Sequence, residues 1–90
     1  MIVFFKPSFL KDITALPAAV RLEIKKICVE IFPAADTLFA IKEYDIKAMT
    51  GFKNYYRLRL GDYRMGFKKE KGIIIFMRVK HRKEIHRYFP

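Results

Sequence analysis

The chain has a single cysteine, Cys28, in 90 residues. An internal disulfide is therefore excluded, and a reduced thiol buried among apolar neighbours is expected. Long hydrophobic runs are missing too. The apolar stretch Ile2 to Phe5 stops at Lys6 and Pro7, too short for a signal-peptide core or a membrane span, which together with the reduced thiol points to the cytoplasm. Glycine is scarce, and no Gly-rich loop opens a helix, so no nucleotide-phosphate cradle is expected. His81 and His86 have no Cys or carboxylate at metal-ligand spacing. Neither a zinc site nor any other cofactor is expected. No internal repeat or low-complexity segment is present. Most telling is the shortage of acid in the second half: residues 47–90 hold only Asp62, Glu70 and Glu84 against thirteen Lys and Arg.

What is present is ample apolar material. Hydrophobic residues make up 52% of the chain and nine are Phe, enough to fill the core of one domain spanning 1–90. Residues 1–46 balance six basic side chains with six acidic ones, so the whole net charge of +10 arises in residues 47–90. A positive field this concentrated favours a phosphate backbone or an acidic protein partner. A membrane surface is not expected, because no basic amphipathic helix stands out.

Ile2-Val3-Phe4-Phe5 reads as a first strand. Ser8 is placed to cap a helix carrying Phe9, Ile13 and Leu16 on one stripe, and Pro17 separates it from a second helix. There Val20, Ile24, Ile27, Cys28 and Ile31 share an apolar face, and Pro33 ends the helix. Residues 34–54 show no clear periodicity and are left open. From Tyr55 the period becomes two: Tyr56, Leu58 and Leu60 alternate with Tyr55, Arg57 and Arg59, Gly61-Asp62 turns the chain, and Tyr63, Met65 and Phe67 alternate with Arg64, Gly66 and Lys68. A turn at Glu70-Lys71-Gly72 leads into Ile73 to Val79. The expected fold is α+β, an N-terminal strand and helical hairpin packed on a small antiparallel-rich sheet in the order β-α-α-β-β-β, with a short helix or tail over Arg82 to Phe89.

Alternation also assigns faces. With Tyr56, Leu58, Leu60, Tyr63, Met65 and Phe67 against the helices, Arg57, Arg59 and Arg64 crowd the opposite face, and Arg82 can reach its edge. Exposed sheet faces are commonly polar, and basic edge residues guard against aggregation. An anion-binding surface for RNA is nevertheless the favoured reading, since the charges come as Arg at alternate positions with no acid between Arg57 and Arg59. Lys6, Lys47 and Lys53 are taken as solvated. Tyr55 and Tyr88 are the aromatics not claimed by the core pattern.

Tyr56-Arg57-Leu58-Arg59, Asp62-Tyr63-Arg64 and Val79-Lys80-His81-Arg82 with Tyr88 behind it resemble the RelE/ParE family of bacterial type II toxins over almost the whole chain. The resemblance implies a small antiparallel-rich sheet with a helical hairpin on one face. It also implies one of two targets, mRNA cut in the ribosomal A site or DNA gyrase, between which fold cannot choose. The RNA-cutting branch of the family uses basic residues that fall here on Arg57, Arg59, Arg64 and Arg82, followed by Tyr88. That favours a ribosome-dependent mRNA endoribonuclease over a gyrase inhibitor or a non-catalytic basic RNA-binding module.

Two departures stand out. The family's nuclease branch often has lysine in the second-strand pair, whereas arginine stays charged and is a poor base. A basic residue expected before Gly51 is Thr50. The resemblance implies Arg57, Arg59, Arg64, Arg82 and Tyr88 as catalytic residues; His86 in the same terminal segment is added as a candidate for proton transfer, since histidine suits that task near neutrality, and Tyr55 and Lys80 are added for RNA binding. The implied partner is a small antitoxin with acidic segments.

Overall fold

In the computed structural model, which describes residues 1–90, a five-stranded sheet carries the helices on one face and leaves the other open. Strand β1 is Ile2–Phe5, helix α1 Pro7–Ile13 and helix α2 Ala18–Lys26. Strands β2 (Asp45–Ala48), β3 (Tyr55–Leu60), β4 (Tyr63–Glu70) and β5 (Ile73–His81) follow, and a 3₁₀ turn, Ile85–Arg87, lies near the C-terminus. The spatial order is β1-β5-β4-β3-β2, antiparallel except for β1, which runs parallel to β5. The α+β architecture read from the sequence is therefore present, with one strand more than expected.

Local chemistry explains the elements. Pro7 starts α1, where its missing N–H costs nothing and its φ is already helical. Ser8 is not the cap: Lys6 occupies that position, and the Ser8 hydroxyl instead donates to the Met77 carbonyl at 2.7 Å. Helix α2 continues through a π-helical stretch, Ile27–Ile31, into a last α-helical turn, Phe32–Ala34. Pro33 therefore sits inside that turn rather than beyond the helix. It lacks the N–H that would bond the Val29 carbonyl and its ring crowds that oxygen, and the widened turn just before it takes up the crowding.

The core lies between the helices and the sheet. Phe9, Phe32, Phe67 and Phe76 are fully buried, with Phe76 at centroid distances of 5.4, 5.1 and 5.5 Å from Phe9, Phe32 and Phe67 respectively. Leu58, Met65, Ile74 and Val79 fill in around them. Cys28 is buried as expected, and that burial pushes its thiol up to about 12, so it stays protonated and inert.

One irregularity in β5 decides which side chains face out. Gly66 pairs with Arg78 while Phe67 pairs with Phe76, leaving Met77 as a bulge residue without a partner. Strict alternation from Ile74 and Phe76 would drive Arg78 and Lys80 into the core. The extra residue flips the remainder of the strand, so Val79 turns inward and the two cations turn outward.

The segment left open in the sequence contains β2, which pairs with β3 as the sheet edge. A 3₁₀ turn, Leu38–Ala40, precedes it.

Candidate functional site: an arginine grid on the open sheet face

Strand register builds the site. Directly paired residues share a face, and across the open face two rows run from β2 to β5: Asp45, Arg59, Arg64, Lys80, and Lys47, Arg57, Gly66, Arg78. Neighbours within a row are about 5 Å apart at the backbone and the rows lie about 7 Å apart, so the long side chains reach the scale of a phosphodiester. Arg57, Arg59 and Arg64 line one shallow depression of about 90 Å³ together with Asp45 and Lys47. No apolar side chain contributes to it.

Arg64 is held in place without being neutralised. One guanidinium nitrogen donates to the Gly61 and Tyr63 carbonyls at 2.7 and 2.8 Å, leaving its other N–H groups free. Gly61 takes φ +56° at the two-residue turn, a conformation L side chains rarely adopt, which places its carbonyl for that bond. Partial burial, and then the charges of Arg59, Arg57 and Arg82, push the Arg64 pKa below the ordinary guanidinium range. Arg82 thus belongs electrostatically to the same cluster. Its backbone N–H donates to the Asp62 carbonyl at 2.7 Å, and its side chain lies 3.9 Å from the Asp62 carboxylate.

The far end of the grid is anchored by a residue that the pattern of charges did not suggest. Asp12 of α1 is 6% exposed. It lies against the part of β5 that β1, paired only with Ile73 to Phe76, leaves uncovered. Its carboxylate accepts from the Arg78 guanidinium at 2.9 and 3.0 Å and from the Val79 amide at 3.1 Å, with the Lys80 ammonium at 3.2 Å. Arg78 and Lys80 also lie against the Tyr88 ring, 4.7 and 4.5 Å from its centroid.

The C-terminal segment folds back over this face. Phe89, 3% exposed, sits over Gly66 and meets the Tyr55 ring edge-on at 5.6 Å. Tyr55 is thus partly covered, with Lys68 5.6 Å from its ring centroid on the same face. His86 is exposed in the 3₁₀ turn and makes no hydrogen bond or ion pair. Of the residues singled out in the sequence, Arg57, Arg59, Arg64 and Arg82 come together, and Tyr88 and Lys80 form an adjoining group with Arg78. Lys47, taken as merely solvated, in fact lines the depression, and Asp45 and Arg78 join the grid unanticipated. An apolar groove of about 460 Å³ is lined by Leu38, Phe39, Ile41, Tyr44, Ile46 and Tyr56 among others, away from the arginine cluster.

The arrangement defines a small basic α+β protein whose helices back a sheet with a strongly cationic opposite face. Residues 3–86 match the family model described as ParE toxin of type II toxin-antitoxin system, parDE. Toxin RelE3 of Methanocaldococcus jannaschii is 43% identical over 90 residues, the full length of both chains. The chain therefore belongs to the RelE/ParE family of type II toxin-antitoxin toxins. Among solved structures, the RelB-RelE antitoxin-toxin complex from Methanococcus jannaschii superposes with a TM-score of 0.82 at 40% identity, covering 97% of this chain and 99% of that one. The RelE-RelB complex from Pyrococcus horikoshii OT3 gives a TM-score of 0.62 at 25% identity, covering 90% and 93%. The RelBE complex of E. coli, at 23% identity and a TM-score of 0.64 over 89% and 94% of the two chains, shares the fold.

Proposed function

We propose that this toxin is a ribosome-dependent mRNA endoribonuclease. The carrying observation is the convergence of Arg57, Arg59 and Arg64 on one polar depression with Arg82 at its edge. In the proposed reaction the ribose 2′-OH attacks the adjacent phosphate in line and expels the 5′-oxygen. The products are a 2′,3′-cyclic phosphate and a 5′-hydroxyl, and no metal takes part. Guanidiniums suit this task because they hold non-bridging oxygens in a planar fork and stay charged as the transition state gains negative charge. Tyr88, exposed beside Arg78 and Lys80, offers a ring on which an unstacked base can lie. Tyr55 contributes less, being partly covered by Phe89.

The partner in the cell is a small antitoxin with acidic segments laid over the grid, a pairing supported by the antitoxin-bound relatives. The protein acts where ribosomes are, in the cytoplasm.

The test is to add the purified toxin to a translating extract and map mRNA ends, with gyrase supercoiling measured in parallel. Ribosome-dependent cuts are expected. Arg64→Ala and Arg82→Ala should each lose about a hundredfold in cutting while remaining folded, the usual effect of removing one transition-state donor. Inhibition of supercoiling without cuts would replace the nuclease reading with the gyrase reading that the ParE description suggests.

A further inference from the structure

The grid is rich in groups that hold a phosphate and poor in groups that take a proton. A guanidinium cannot accept one at neutral pH, and an ammonium has no lone pair to offer. Of the five side chains lining the depression, Asp45 is the sole acceptor. It stands on β2 opposite Arg59, in the row that continues to Arg64 and Lys80. Its side chain is exposed and takes part in none of the ion pairs that occupy Asp12, Asp62 and Glu70. His86, the candidate proton carrier from the sequence, is not among the lining residues.

We infer that Asp45 is the general base of the reaction proposed above, and the inference rests on that nuclease reading. The Asp45 carboxylate takes the 2′-hydroxyl proton as the 2′-oxygen forms its bond to phosphorus. The bond from phosphorus to the 5′-oxygen breaks, and that oxygen leaves with a proton drawn from water, so the enzyme gains one proton and releases it to solvent afterwards. The arrangement divides the labour. Arg57, Arg59 and Arg64 bind the phosphate oxygens, and the carboxylate at the rim faces the ribose attached to that phosphate. β2 is an edge strand, so Asp45 is approached from solvent without any rearrangement of the sheet.

A rival role for Asp45 is simple charge relief, offsetting the repulsion among the arginines. The two roles predict opposite results. Asp45→Asn keeps shape and hydrogen bonding but removes basicity. If Asp45 is the base, single-turnover cutting by the variant in a translating extract falls at least a hundredfold. Ribosome binding is retained, so the loss lies in the chemical step. If Asp45 only relieves charge, the variant binds RNA more tightly and cuts as fast as the natural protein or faster, and the inference is overturned. That outcome leaves the nuclease reading standing, because the natural protein still cuts. Failure of the natural protein to cut mRNA removes both. A thermal melt of Asp45→Asn close to that of the natural protein confirms that the comparison is between folded proteins, as expected for an exposed edge residue.

Discussion

Replacing Gly66 by alanine should lower stability in the natural chain and raise it when Phe89 is also replaced. Gly66 needs no unusual φ; what it supplies is the absence of a side chain. A Cβ built there would lie 2.5 Å from two carbons of the Phe89 ring and 2.7 Å from a third, closer than carbon atoms approach. The backbone is fixed by pairing to Arg57 on one side and Arg78 on the other, so the ring has to leave. Losing the burial of a phenylalanine costs about 1.5–3 kcal/mol, and losing its edge contact with Tyr55 adds about 0.5–1.5 kcal/mol. Gly66→Ala should therefore cost about 3 kcal/mol, and Phe89→Ala a similar amount. With the ring absent, alanine has room in the strand and removes glycine's entropy cost, so Gly66→Ala in the Phe89→Ala background should gain about 0.5 kcal/mol. A double-mutant cycle by urea denaturation measures the coupling, about 3.5 kcal/mol between these touching residues. Hydrogen exchange gives a local readout. The Phe89 amide, bonded to the Ile85 carbonyl at 2.9 Å, should lose protection in Gly66→Ala while the β3–β4 amides keep theirs. Equal costs of Gly66→Ala in both backgrounds would refute the packing of Phe89 over Gly66, and with it the placement of Tyr88 beside Arg78 and Lys80.

Arg59 and Arg64 face each other directly across β3 and β4, and like charges so placed repel. Arg59→Thr should stabilise the fold by about 0.5 kcal/mol at low ionic strength and by much less in 1 M salt, while cutting activity falls. A denaturation series against salt checks the first part and the translating extract the second. Asp12→Ala should be the most damaging acidic replacement, costing about 3 kcal/mol in chemical denaturation. It strands the Arg78 guanidinium, the Lys80 ammonium and the Val79 amide at once.

Much of the fold was legible because its signals are local. The β3–β4 alternation around Gly61-Asp62 fixes both the pairing and the face on which Arg57, Arg59 and Arg64 stand. The apolar stripe of α2 says what the helices cover. Strand β2 was not legible because Asp45–Ala48 is four residues long and offers one large apolar side chain on the core side, Ile46, too little for a period to show. With it Asp45 and Lys47 were lost from the site. The bulge at Met77 was hidden for the opposite reason: Ile73 to Met77 is so uniformly apolar that a one-residue shift leaves no mark. Arg78 was lost with it. Ser8 shows the same limit, since its local capping preference gives way to a long-range bond with Met77, the residue without a strand partner.

The acids around the grid explain why its centre stays available. Asp12 pairs with both Arg78 and Lys80 at the β5 end, and Asp62 sits beside Arg82 at the turn. Neither forms an ion pair with Arg57, Arg59 or Arg64, and the Asp62 charge only partly offsets the lowering at Arg64. Arg64 is oriented by two neutral carbonyls, a device that fixes direction while leaving the charge uncancelled. Binding a phosphate there relieves repulsion already present and needs no existing salt bridge to break, so much of the ordering cost is met when the protein folds. Asp45 is the exception in position. It is the one carboxylate lining the depression itself, unpaired and at the open edge, as the general base proposed above has to be.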